Sequence, residues 1–409
     1  MASGSNKYEV KIRSVDTVVP VVLVQEHRLR QSNFDLLIPP VDAGLYFCFQ
    51  KPARTTCQDA SVEFTSFPTM VAGCSPQSGS FKEILCNSRG VDLIEAYADV
   101  ELRELNLYNP DDSVDAKLLP KKINGILGIQ VTELRCGAML VGCKFDHRAA
   151  DGYSFFLFMS AWADIARNKP INQMPSFCRF LLSSRIISPS NSSDPIYDRI
   201  YTPLSFLPPV NPEISPNTPI NRIYYISAVN IAELQELSGH RHSKLVCFIA
   251  YFWKMLARSA CQGEKSCTMG AVVNGRSFMK TVRGDNFMEN YFGNILSIPF
   301  GNLQVKTLLD MKLAEVAEEV NKWLSPAKTG DHFLGLHDWV EARRPKPILS
   351  TMQEMGGYLM PIPQPTTGDW VVYAHVAPSI AAAMEQEPTI FRPLRTLAEY
   401  DSSSSRARL

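Results

Sequence analysis

The sequence predicts an α/β protein built as two domains of similar size. Three observations carry that expectation. Short runs with strand patterning recur on both sides of the middle of the chain, interleaved with longer amphipathic stretches. A proline-crowded stretch, with eight of the 28 prolines between Pro189 and Pro219, separates two halves of comparable length. A chain of 409 residues is long enough for two ordinary domains. The expected division is 1–185, a crossover at 186–219, and 220–409.

Taken in order, residues 8–25 alternate imperfectly and read as an edge strand with a proline-terminated extension. Ser32-Asn33-Phe34-Asp35 and the prolines at 39 and 40 read as a turn before an aromatic strand, Gly44–Gln50. Strands are expected at Phe81–Cys86 and Val91–Val100, around a turn at Asn87–Gly90, and again at Ile126–Val131 and Ala138–Phe145. Helices are expected between the strands of this one sheet. Phe155, Phe158, Met159, Trp162 and Ile165 then share one stripe of a helix that Ser154 or Asp151 can cap.

The proline stretch cannot be a core helix or a central strand, so it reads as a crossover. Beyond it come a strand, Arg222–Val229, a helix, Asn230–Leu237, and the run Lys244–Cys261, which is apolar on most sides. In that run Phe248, Tyr251, Phe252 and Trp253 read as core rather than as a cofactor box. A strand at Thr268–Val273 ends in Asn274-Gly275-Arg276, and Asn290–Ser297 reads as a loop entering a strand. Leu313, Val316, Ala317, Val320 and Trp323 mark another amphipathic helix. A hairpin of Gly357–Ile362 and Trp370–Val376 turns at Thr366–Asp369, and a short helix follows at Ser379–Gln386.

Composition excludes several function classes. Lys+Arg and Asp+Glu are both 41, so nothing favours nucleic acid or an anionic membrane surface. No window approaches the ~20 apolar residues that span a bilayer. The first residues carry no apolar signal core, and the ten cysteines are scattered without a C-x-x-C. Both point to a reducing compartment, most simply the cytosol. No G-x-S-x-G elbow supports a serine hydrolase, and His240-Arg241-His242 reads as a solvated loop rather than a metal site.

The chemistry-bearing candidate is His147, at the mouth of the strand Ala138–Phe145 and before the turn into the helix. The string His147-Arg148-Ala149-Ala150-Asp151-Gly152 has the form H-x-x-x-D-G. With seven histidines in the chain, this pattern by itself also fits a structural histidine in a turn. Its context and the order of the other strings change the weighing. S-N-x-D at 32–35, H-x-x-x-D-G at 147–152, the proline crossover, V-V-N-G-R at 272–276, N-Y-F-G-N at 290–294, G-Y-L-M-P-I-P at 357–363 and D-W-V-V-Y-A-H-V followed by F-R-P-L stand in one sequence. That sequence resembles the BAHD family of plant acyl-CoA-dependent acyltransferases, with the flavour of hydroxycinnamoyl- and coniferyl-alcohol acyltransferases.

The resemblance implies two mixed-sheet domains of chloramphenicol-acetyltransferase type, with a cleft or channel between them. It implies acyl-CoA as co-substrate, a small-molecule alcohol as acceptor, a monomer, no bound cofactor and no metal. His147 would be the general base, its imidazole having a pKa near neutrality. Asp151 would point away from the ring and pair with Arg276, supporting the turn together with Gly152. The other reading of Asp151 and Arg276 is two unrelated surface charges.

One departure is specific to this chain. The family's D-F-G-W-G signature and the S-W segment upstream of it are missing. The nearest strings, Asp338-Trp339 and Asp369-Trp370, lack the glycines. The sequence therefore reads as carrying an internal deletion near 351–356, with a tight connector and exposed apolar surface beside it. Two functions follow: an O-acyltransferase, or a catalytically impaired relative that acts by binding.

Overall fold

The protein is described from a computed structural model over residues 8–20, 25–51, 74–76, 83–115, 117–122, 125–182, 197–198, 201–203, 218–259, 265–283, 287–343, 348–350 and 356–397. Its first half is built on a five-stranded sheet. The strand order is Val10–Val18, Val91–Ala98, Leu127–Leu134, Met139–Asp146 and Asp42–Phe49. Val10–Val18 is an edge strand, as its imperfect alternation predicts. Neighbours are antiparallel except Val91–Ala98 and Leu127–Leu134, which are parallel. A parallel pair needs a long crossover. The described residues between 99 and 126 include short 3-10 and π turns, Leu102–Glu104 and Asp111–Asp115, on that crossover. The expected helices between strands reduce to one full α-helix among the described residues of this half, Gly152–Ala166.

The strand Met139–Asp146 is almost wholly buried because both its faces are covered. Val141, Cys143 and Phe145 pack with Phe155 and Phe158 of the helix that follows. Leu140 packs with Leu105, Leu118 and Leu134 on the opposite face. At Gly142 that second layer comes so close that a Cβ would lie 2.3 Å from the Leu118 carbonyl oxygen. The contiguous apolar run in the sequence has this cause.

The second half has its own antiparallel sheet, ordered Gly357–Pro363, Trp370–Val376, Ile220–Ile226 and Arg392–Pro393. The strand expected at Arg222–Val229 stops at Ile226, because Ser227 accepts a hydrogen bond from the Asn230 backbone and starts the helix Ala228–Leu237. The helix Lys244–Ser259 lies between two core clusters. Val246, Ala250 and Trp253 face one, and Cys247, Phe248 and Phe252 face the other, against the sheet. A helix buried on both sides has to be apolar nearly all round.

Gly357–Pro363 is the outer strand of its sheet, with Tyr358, Met360 and Ile362 exposed at 42%, 40% and 40%. The expected deletion point and its connector, 351–355, lie outside the described residues. The short strand just before it, Ile348–Ser350, pairs with Tyr201–Pro203 of the crossover. Most of the crossover, 186–219, also lies outside the described residues.

The two halves meet through buried and polar contacts. Phe34 and Leu37, from the first half, are part of a core cluster made mostly by the second. On another face, Leu107 donates to the Arg395 carbonyl and Ile223 donates to that of Tyr108. Asn221 is a polar node there. Its side chain donates to Asp111 at 2.5 Å and Asp115 at 3.0 Å, and its amide oxygen is 2.7 Å from both the Tyr373 hydroxyl and His375 Nδ1.

Burial lowers the pKa of His375, and the negative charge of Asp111 offsets that only in part. A histidine with a depressed folded pKa takes up its proton more readily in the unfolded chain, so stability falls as pH drops below the unfolded value of about 6.5. Denaturant midpoints are expected to fall between pH 7.5 and 5.5, and to fall less in His375→Gln. An equal pH slope in the two proteins would remove His375 from this account.

Candidate active site

The turn carrying His147 leaves the strand Met139–Asp146 at its C-terminal end and enters the helix Gly152–Ala166. The His147 backbone N–H donates to the Val41 carbonyl at 2.9 Å, continuing the pairing with the neighbouring strand. Its ring is half-buried, with its centroid 6.2 Å from that of Phe145. Nδ1 is buried and has no hydrogen-bond partner among the described residues. No carboxylate touches the ring there. Asp146 instead accepts from Arg148, with contacts of 2.6 and 3.0 Å.

Asp151 and Arg276 come together across 125 positions of sequence, 1% and 2% exposed. The pair is bidentate: Nη1 to Oδ2 at 2.7 Å and Nη2 to Oδ1 at 3.1 Å. The reading of Asp151 and Arg276 as unrelated surface charges is excluded by that geometry. Asp151 also caps the helix, accepting from the Ser154 backbone N–H at 2.9 Å, and accepts from that of Ile295 at 3.3 Å. Arg276 uses its other hydrogens on the Ser154 hydroxyl, the Gly293 carbonyl and the Tyr291 carbonyl. Its guanidinium lies 4.6 Å from the Tyr153 ring centroid. Every donor and acceptor needed to bury two charges is present, and the carboxylate is turned to Arg276 rather than to the imidazole.

The glycines here have different reasons. At Gly293 φ is +154°, and a Cβ would lie 2.8 Å from the Tyr291 ring. A Cβ at Gly152 would meet nothing within 4 Å, so packing places no demand for glycine at the first helical position. Ser154 is fully buried inside the arginine network, which makes it a structural hydroxyl rather than a nucleophile.

Residues to which the sequence reading gave no role also converge on this turn. Asp35, fully buried, accepts from Ser32 and from Asn294, and it pairs with Arg179 at 3.3 Å. Burial and then the nearby Asp35 charge push the Tyr291 phenol pKa well up, so it stays neutral. S-N-x-D and N-Y-F-G-N were visible as strings, and their order could have flagged Asp35 and Asn294. Arg179 carried no signal.

The two Asp-Trp strings have structural roles. Trp339 is core and donates to Asp198, while Asp369 accepts from the Ala228 N–H at the start of a helix. His242 faces Glu318 at 3.4 Å, and no group of three metal-ligating side chains occurs among the described residues. No helix of the described residues is long and apolar enough to cross a membrane. A shallow depression lined by Gln31, Glu83, Ile126, Asp146 and Arg148 opens on the Arg148 side of the turn, and His147 does not line it.

A family model described as the Transferase family matches residues 8–361. Among curated relatives, the chain is 24% identical over 309 residues to a hydroxycinnamoyltransferase of Narcissus pseudonarcissus, covering 70% of this chain and 69% of that one. It is likewise 24% identical over 322 residues to a shikimate O-hydroxycinnamoyltransferase of Nicotiana tabacum, covering 70% of each. Among solved structures, vinorine synthase superposes with a TM-score of 0.68 at 16% identity, over 94% of this chain and 99% of the other. At that identity the likeness is one of fold, the two-domain mixed α/β arrangement.

Removing one partner of the buried pair leaves an uncompensated charge, for which ~3–5 kcal/mol is typical. Arg276→Ala is expected to lose that much in a denaturant titration, and Asp151→Asn to lose stability as well while keeping the side-chain shape. A loss under about 1 kcal/mol in Arg276→Ala would mean that water reaches the pair.

Proposed function

The chain belongs to the Transferase family, the BAHD acyl-CoA-dependent O-acyltransferases, and we propose that it moves an acyl group from acyl-CoA to a hydroxyl of a small plant metabolite. The acyl group is hydroxycinnamoyl or acetyl. The hydroxycinnamoyl option follows the names of the curated relatives, and the acceptor named for the Nicotiana tabacum relative makes shikimate the first acceptor to test. The observation that carries the reading is His147 on a braced turn, half-buried, with its ring free of any carboxylate among the described residues.

In this proposal His147 is the general base. Nδ1 is the buried nitrogen, so Nε2 is the one that would face substrate. With Nδ1 protonated, Nε2 takes the proton of the acceptor hydroxyl as its oxygen attacks the thioester carbonyl. The tetrahedral intermediate collapses, the C–S bond breaks, and the CoA thiolate takes the proton back from Nε2 as it leaves. Asp151 has no part in the proton transfer. Its charge is committed to Arg276, and the pair serves by holding the turn. The alternative of a protein that binds without turnover finds no support in relatives whose names are those of transferases.

Thiol release from p-coumaroyl-CoA and from acetyl-CoA, with shikimate, coniferyl alcohol or an amine as acceptor, tests the reading. Turnover is expected with shikimate or coniferyl alcohol, and turnover with the amine alone would overturn the hydroxyl acceptor. His147→Ala should lower it by the ~10²–10⁴-fold typical of a lost general base, with acyl-CoA binding retained. Unchanged turnover in that variant would remove His147 from the mechanism.

The absent S-W…D-F-G-W-G segment bears on the rate. Inserting it from a relative between Thr351 and Gly356 should raise turnover and soluble yield together. Equal rates with and without the insert would show that the short form is complete for catalysis.

A further inference from the structure

Three successive backbone carbonyls of the turn, those of His147, Arg148 and Ala149, each accept a hydrogen bond from a side chain. Asn294 Nδ2 donates to His147 at 2.9 Å, Gln31 Nε2 to Arg148 at 3.3 Å, and Arg179 Nη2 to Ala149 at 2.8 Å. Two of these three donors are held by one carboxylate. Asp35 Oδ1 accepts from Asn294 through both its backbone N–H and its side-chain Nδ2, each at 2.9 Å, and Oδ2 faces Arg179 at 3.3 Å. The third donor, Gln31, starts the same segment as Asp35. Asp35 and Asn294 are 0% exposed.

We infer that Asp35 is a positioning residue for His147, acting through Asn294 and Arg179. The proposal rests on the reading of His147 as general base. Asn294 spans two acceptors with one NH2 group, so the position of the Asp35 carboxylate is passed directly to the His147 carbonyl. That double donation also settles the orientation of the amide, since the reverse would set its oxygen against two acceptors. Arg179 passes the same reference point to Ala149, two residues on. The turn is thus clamped at 147 and 149 by Asp35 and at 151 by Arg276, through two separate buried ion pairs. A purely local role for Asp35 would be satisfied by its bonds to Ser32 alone, at 2.7 and 2.9 Å. The bonds to a residue 259 positions away, and onward to the carbonyl of the proposed base, go beyond that role.

The test uses the full chain labelled with 15N on histidine, with the His147 ring signals assigned by their loss in His147→Ala. Asn294→Ala removes only the link between Asp35 and the His147 carbonyl. It is expected to lower kcat by about 10²-fold, the scale of a misplaced catalytic group, with KM for acyl-CoA within about twofold. The His147 15N shifts should move. Arg179→Lys, which keeps the charge but can satisfy only part of the fork, should give a smaller loss in the same direction and stands in if Asn294→Ala does not fold. Folded variants with unchanged kcat and unchanged His147 shifts would overturn the proposal. So would a kcat loss that only follows the folded fraction while the His147 shifts of the folded protein stay put. If neither the unaltered chain nor the chain carrying the inserted segment turns over a CoA ester, the acyl-transfer reading fails by itself. The 15N shifts then still decide whether Asp35 and Asn294 set the His147 ring.

Discussion

Everything at the centre of this protein depends on burying the Asp151 and Arg276 charges together. Burying two ions is expensive unless each lone pair and N–H finds a partner. Here the partners come from four places: the helix start at Ser154, the loop carbonyls of Tyr291 and Gly293, the Ile295 backbone and the Asn274 side chain. Meeting that demand draws the turn of the first half and the Asn290–Ser297 loop of the second into one position. The ion pair therefore joins the halves as much as it braces the turn.

A consequence is a division of labour among the acidic groups. A carboxylate on the imidazole would raise its basicity and could form a relay, but the two carboxylates adjacent in sequence are both committed to arginines, Asp146 to Arg148 and Asp151 to Arg276. Among the described residues the side chains around this turn bond its backbone rather than the imidazole. Three side chains holding three consecutive carbonyls is a dense way to fix a short turn.

The second sheet shows a different constraint. Its outer strand, Gly357–Pro363, exposes an apolar row on one face, and Pro361 and Pro363 remove two N–H donors from it. An edge short of donors is a poor template for another strand. The helix Lys244–Ser259 covers the inner face of the sheet, so its hydrophobic content reflects two cores rather than one.

By itself the sequence determined the strands of the first sheet from Val10 to Asp146, the helix after His147, the buried helix after Lys244 and the C-terminal hairpin. Each depends on local periodicity, which needs no partner to be read. It also singled out His147, Asp151 and Arg276, through strings whose order resembles a known family. Tertiary structure alone decided what surrounds them. Arg179 sits in no recognisable string, yet it holds Ala149; Asn294 was one letter of a motif, yet it links Asp35 to the His147 carbonyl. The stop of the predicted Arg222–Val229 strand at Ile226 was settled by a cap, and, among the described residues, short turns stand in the parallel crossover where a helix was expected. Hydrogen bonds between residues more than 100 positions apart leave no periodic trace in a chain, so a contact such as Asp35 to Asn294 is written only in three dimensions.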